Sequence, residues 1–278
     1  MGLAALLTAA MIATLTPQEK AAALVVTTQQ PRVFTGAAGI TFADQEGGDV
    51  KAFPGLAPHW VPGEVRSVRT AFASGRATAV ALRRKGVQVD FAPVLDTPDG
   101  PLGSRQFPRP ELGVAFARGL GRAACVKHFP GLGTAAYSTD VRAHVDARVR
   151  DRDLAPFRAA IRAGAPCVMV GHAFYASLGR FRASLEPKTY RLLRSLGFEG
   201  VAITDSLSII RAAPIERWAP QAVRAGADLL LVTSPAHAAR AIRALEPLAR
   251  RGELDVHVAR VLRYRRLVSA PKRRSRRR

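Results

Sequence analysis

Short apolar or β-branched runs recur along this chain, separated by stretches with helical periodicity. That alternation constrains the fold more than any other feature. The runs occupy residues 23–27, 39–43, 87–94, 123–128, 167–171, 201–204 and 227–232. Helical patterns lie between several of them, at 64–85, 154–163 and 187–196. Strand alternating with helix predicts parallel βαβ units, and continuous apolar runs suit strands buried on both faces. The expected fold class is α/β, a TIM-like (β/α) barrel. A chain of 278 residues suits one such barrel, for which about 250 residues is typical. Seven runs are one short of the eight strands of a closed barrel. Residues 28–39 are too few for a strand plus a crossover helix. Either one βα unit is missing or one strand is irregular.

Residues 1–15 form an apolar N-terminal segment without a basic flank, too short to span a bilayer. It reads as a weak signal segment or as the first helix. Thr16-Pro17-Gln18-Glu19 carries helix-start chemistry: a capping hydroxyl, a proline in the first turn and an acid at the third position. The barrel is expected over 16–270, followed by a basic disordered tail at 271–278. Six of the last seven residues are basic, and the formal net charge is +21. Such a balance favours contact with anionic surfaces, which the tail could supply. The competing reading is a bias toward Arg, which makes up 36 of the 42 basic residues. No patch interleaves basic and aromatic residues, so no specific nucleic-acid partner is expected.

Cys125 and Cys167 both sit in apolar runs without metal-ligand spacing. Buried free thiols are expected, which leaves the compartment open between cytoplasmic and exported. No Gly-rich phosphate loop follows a strand and no metal-ligand cluster appears, so no cofactor is implied. A monomer is expected.

In barrels of this kind the chemistry sits at the C-terminal ends of strands. The chain repeatedly places polar residues there. Asp44 and Glu46 follow the second run and Asp96 the third; Lys127 and His128 end the fourth; His172 follows the fifth and Asp205 the sixth. Polar groups converging from five strand ends predict a functional site rather than packing.

The segments 44–48 (DQEGG), 90–96 (DFAPVLD), 127–133 (KHFPGLG) and 200–208 (GVAITDSLS) resemble, in order and spacing, the signatures of glycoside hydrolase family 3. Within it the chain is most similar to single-domain β-N-acetylhexosaminidases. Supporting pieces are 184–187 (SLEP) and 225–231 (AGADLLL), and the likeness covers about 16 to 267. The resemblance implies a retaining hydrolase of N-acetylglucosamine-containing glycans, such as cell-wall fragments. Asp205 would attack the sugar, although from its position alone it could equally be a helix N-cap. Asp96, otherwise a turn-forming residue, would bind sugar hydroxyls together with Lys127, His128 and Arg105. Asp44 would shape the pocket floor, although loop chemistry around Gly47 and Gly48 accounts for it as well. His172 would be a strand-end histidine of the pocket or a satisfied core residue.

The chain also departs from the family. Asp49 stands where an Arg usually follows the two glycines. The family's Asp-x-His acid/base pair falls, without gaps, on Ser138 and Asp140. Retaining hydrolysis needs a proton donor for the leaving oxygen and a base for water. The candidates are Asp140, if burial raises its pKa, and His144. Two further readings are a catalytically impaired sugar- or wall-binding relative and a polyanion-binding protein on a barrel scaffold.

Overall fold

The structure is a computed structural model that describes residues 3–36, 38–210 and 214–270. The expected disordered tail at 271–278 lies outside the described residues. The chain begins with α1 (Leu3–Thr14) and α2 (Pro17–Ala23). Thr16 and Glu19 cap α2 reciprocally: the Thr16 side chain accepts from the Glu19 N–H, and Glu19 accepts from the Thr16 N–H. Helix α1 lies against the last helix, where Arg266 Nη1 donates to Thr8 Oγ1 at 3.2 Å.

Five strands follow: β1 (Val25–Gln30), β2 (Val33–Gly36), β3 (Thr41–Ala43), β4 (Gln45–Gly47) and β5 (Val50–Lys51). Next come α3 (Val68–Arg84), β6 (Val89–Asp90), α4 (Pro110–Leu120), β7 (Cys125–Phe129), β8 (Asp146–Ala147) and α5 (Asp151–Arg162). The chain continues through β9 (Cys167–Val170), β10 (Phe174–Tyr175), α6 (Pro187–Ser195) and β11 (Val201–Thr204). It ends with α7 (Ile215–Ala225), β12 (Leu230–Val232), α8 (Pro235–Arg250) and α9 (Asp255–Ser269).

The arrangement is of the TIM-barrel-like α/β kind. One sheet runs β12-β1-β2-β3-β6 and another β11-β9-β7. Parallel bridges Asp90↔Ala124 and Val94↔Lys127 link the first to the second on one side, and Ile203↔Leu229 does so on the other. The irregular unit sits at 28–39. Here β2 pairs antiparallel with both β1 and β3, and no helix intervenes. A hairpin therefore stands where a βα crossover would, because those residues suffice only for a reversal.

Along β1, β7, β9, β11 and β12 residues alternate between two cores. Val26, Cys125, Cys167, Met169, Val201, Ile203 and Leu231 face an inner cluster with Phe42 and Phe91. Val25, Val126, Val168, Ala202 and Leu230 face the layer beneath the helices. Both faces are apolar, which is why the strands read as unbroken apolar runs. The same alternation overturns the expectation of free thiols. Cys125 and Cys167 pair directly in the β7–β9 register, and both turn inward. With Cα atoms 4.3 Å apart they are joined as a disulfide.

The closest helix pair is α3 with α4. A Cβ on Gly75 would lie 2.2 Å from the Phe116 carbonyl oxygen, and one on Gly119 equally close to that of Phe72. Only glycine lets the two backbones meet there. At the strand ends away from the candidate site, fully buried Asp228 ties β11, α6 and α9 together. It accepts from Arg194 Nη2 at 2.8 Å, from Arg260 Nη1 at 3.0 Å and from the Ala202 N–H at 3.0 Å, with His257 Nδ1 at 2.9 Å. Burial pushes the Asp228 pKa up, but His257 and Arg194 outweigh it and hold the carboxylate ionised.

Candidate active site

A cleft of about 350 Å³ opens at the strand ends. It is lined among others by Asp44, Glu46, Arg105, Lys127, His128 and Asp205. Period-two alternation explains the 44–48 segment. Asp44 and Glu46 face the cleft, while Gln45 between them turns into the scaffold. The Gln45 side chain donates to the carbonyls of Phe53 and Ala57 and accepts from the Phe53 N–H. The turn after Glu46 needs Gly47, at φ 113°, because a Cβ there would lie 2.6 Å from the Trp60 carbonyl oxygen.

Glu46 is the hub of the site. Arg105 grips it bidentately, Nε to Oε2 at 2.8 Å and Nη2 to Oε1 at 2.9 Å. Lys127 Nζ lies 2.6 Å from Glu46 Oε1 and donates to Asp44 Oδ1 at 2.8 Å. Burial alone would raise the Glu46 pKa, but Lys127 and Arg105 prevail and take it down to about 2. Burial also works against the charge on Lys127, and Asp44 and Glu46 reverse that, so its pKa is raised. Glu46, Lys127 and Arg105 thus hold one another in their charged forms. Beneath it, Asp90 accepts from the Gln45 N–H at 2.9 Å, and burial raises its pKa well above the carboxylate range.

Asp96 is withdrawn from the cleft surface. Its Oδ2 accepts from the His128 N–H at 3.1 Å and contacts His128 Nδ1 at 2.7 Å, while Oδ1 accepts from the Leu132 N–H at 2.7 Å. It shapes the 128–132 turn and orients the His128 ring. His172 is likewise behind the cleft. Its Nε2 faces the Ser206 carbonyl at 2.9 Å, so that nitrogen carries the proton, and Nδ1 meets Ser184 Oγ at 2.7 Å. Burial lowers the His172 pKa despite nearby Asp205. These contacts tie it to the turn that carries Asp205, and the 184–187 segment supplies the serine behind it.

Asp205 follows β11. Its N–H donates to the Val170 carbonyl at 2.8 Å, and its Oδ1 accepts from the Ser206 N–H at 2.7 Å. Burial would raise its pKa, but His172, His128, the Ser206 N–H and Lys127 together lower it below the ordinary range. An ionised carboxylate facing the cleft at neutral pH is the form a nucleophile requires.

The two acid/base candidates part company. Asp140 lines the cleft, 3.7 Å from Arg105 Nη1, with 59% of its side chain exposed. The burial on which that expectation rested is therefore absent. His144 is not among the cleft residues; it stacks on Phe174 at 4.2 Å and meets Asp146 Oδ1 at 3.2 Å. The sequence places Glu46 among the strand-end polar residues but assigns it no role of its own, and its position two residues from Asp44 is the signal that puts both on one side. Arg32 and Phe34 also line the cleft. No local signal marked them, because the β1–β2 hairpin brings them there.

A strand-end cleft of paired carboxylates and cations on a TIM-barrel-like α/β scaffold is an arrangement suited to the two-carboxylate chemistry of glycoside hydrolases. The model of the glycosyl hydrolase family 3 N-terminal domain matches residues 4–264. The chain belongs to glycosyl hydrolase family 3. A relative, the β-hexosaminidase of Stenotrophomonas maltophilia strain K279a, is 32% identical over 234 residues, 73% of this chain and 69% of its own. A β-N-acetylhexosaminidase structure from Beutenbergia cavernae superposes with a TM-score of 0.73 at 29% identity, covering 81% of this chain and 77% of that one. A family 3 glycosyl hydrolase from Mycobacterium smegmatis gives a TM-score of 0.79 at 27% identity, covering 94% and 99%.

Proposed function

We propose that this chain is a retaining β-N-acetylhexosaminidase acting on N-acetylglucosamine-containing glycans such as cell-wall fragments, with Asp205 as nucleophile. The observation that carries the reading is the ionised Asp205 sharing one cleft with the preformed Asp44–Lys127–Glu46–Arg105 network. Asp205 attacks the anomeric carbon as the glycosidic oxygen departs, giving a glycosyl-enzyme that water then hydrolyses. Lys127, Asp44, His128 and Arg105 present polar groups to ring hydroxyls, with Lys127 and Arg105 held by Glu46. Asp96 and His172 act from behind as positioning residues. The two sheets and their bridges are read as a ring of eight strands, with β2 as the antiparallel member.

Of the two acid/base candidates, the cleft favours Asp140 over His144. Asp140 would protonate the leaving oxygen and later take a proton from water. Its exposure and its arginine neighbour support a second reading, a family member that binds amino sugar and turns it over poorly. One experiment addresses both readings. Turnover of an aryl N-acetyl-β-glucosaminide is measured for the wild type, Asp205→Ala, Asp140→Asn and His144→Ala. Loss in the first two variants and retention in the third supports the enzyme with Asp140. Saturable sugar binding without turnover in the wild type supports the second reading, and neither binding nor turnover defeats both.

A further inference from the structure

A wide hollow of about 1110 Å³ shares no residue with the catalytic cleft. It runs along the outward side of α3 against α4, over a floor of Ala73, Ala77 and Ala115. Val68, Phe72 and Val80 stand in it with 47%, 42% and 36% of their surface exposed. At 100° per residue they fall on one side of α3. Arg69, Arg76 and Arg84 of α3 and Arg118 of α4 border the same hollow. All four are exposed. Among the described residues none of the four has a hydrogen-bond or ion-pair partner, so their guanidiniums are open to an anionic ligand. No acidic residue lines the hollow.

We propose that this α3–α4 face docks on anionic lipid bilayers, with Phe72, Val68 and Val80 entering the acyl boundary and the four arginines meeting headgroup phosphates. Apolar and basic side chains interleave on this one exposed side of α3, a mixture that lets a bilayer interface take up both, the apolar groups toward the acyl boundary and the guanidiniums at the headgroups. A second copy of the chain is disfavoured, because self-association would bring eight unpaired guanidiniums together. Nucleic acid would satisfy the arginines but leave the three apolar side chains in water. Against a single acidic helix stands the position of the chain's end. Arg122, just beyond α4, donates Nη2 to the Ala270 carbonyl at 2.9 Å. Neighbouring Gly121 lines, with Phe72 and Arg118, a smaller hollow that adjoins the large one. The last described residue is therefore anchored beside this face, and the eight residues beyond it include six basic ones. A continuous anionic plane engages both features at once. Among the described residues no helix is long and apolar enough to cross a membrane, so the contact proposed is peripheral.

The test is co-sedimentation of the full chain with vesicles of phosphatidylglycerol mixed with phosphatidylcholine, against phosphatidylcholine alone. Binding to the anionic vesicles only is expected. The variant with Arg69, Arg76, Arg84 and Arg118 all changed to Gln should bind about a thousandfold more weakly, from about 1 kcal/mol per basic residue at such a surface. Phe72→Ser combined with Val80→Ser should lose about tenfold, and the loss should persist at high salt. Ending the chain after Ala270 should weaken binding without abolishing it. Thermal melts followed by circular dichroism verify that each variant is folded, as expected for changes at exposed positions. Failure to bind anionic vesicles, or equal binding to neutral ones, overturns the proposal. So does full retention by the Phe72/Val80 variant when the truncated chain no longer binds.

Discussion

Replacing Glu46 by glutamine tests the hub of the cleft most directly. The Glu46 side chain is 1% exposed and touches both Lys127 and Arg105, so solvent screens the network little. Its pKa falls from an ordinary 4.5 to about 2, and the whole shift is worth about 3 kcal/mol of folding stability. Because the folded-state pKa is depressed, that stability is fully present above the unfolded value. It is lost as the pH falls from about 4.5 through about 2. The substituted amide would keep a hydrogen-bonding oxygen but no charge, leaving Lys127 with Asp44 alone and Arg105 without its buried partner. Breaking a buried pair in this way costs about 3–5 kcal/mol at neutral pH. For a domain of this size the melting temperature should drop by about 6–15 °C. Urea denaturation of both proteins at a series of pH values from about 7 to about 2 checks the argument. The wild type should approach the variant in stability as the acid range is entered. Parallel curves for the two proteins, or equal stability at neutral pH, would refute the claim that an ionised Glu46 holds the network together.

Other outcomes follow from the same geometry. Gly75→Ala should destabilise the fold by about 1–3 kcal/mol, read from denaturant melts, because its Cβ meets backbone that cannot step aside. Asp228→Asn should cost a similar or larger amount at neutral pH. Its lowered pKa means that the contribution vanishes only as the pH falls below the ordinary carboxylate range, which melts at acid pH would reveal. If His172 acts by holding the Asp205 turn, His172→Ala should lower kcat more than it raises KM for the aryl glycoside, whereas a purely structural role would lower only the folded fraction.

Much of this was legible in the sequence because it is local. Apolar runs, the Thr16–Glu19 cap and polar strand ends all report on neighbouring residues. They mark where Asp44, Lys127, His128 and Asp205 fall, and one cleft gathers them. Contacts across long sequence separations were not legible. The Lys127–Asp44 bond spans 83 positions and the Arg105–Glu46 grip 59, and no local pattern encodes either. Asp96 and His172 looked like cleft residues because both follow strands. Strand-end position says that a side chain is near the site, not whether it faces the ligand or braces the residue that does.

The identity of the elements, and the family signature carried on their ends, belong to the sequence by itself. The tertiary structure alone decided how the strands meet. It made residues 33–36 an antiparallel strand, paired Cys125 with Cys167, and set Glu46 between Lys127 and Arg105. It also left His144 outside the cleft and brought Arg32 into it. The reason is physical. Alternation fixes only which face of a strand a side chain takes, whereas register and burial, set by packing of the whole chain, determine its partners and its charge.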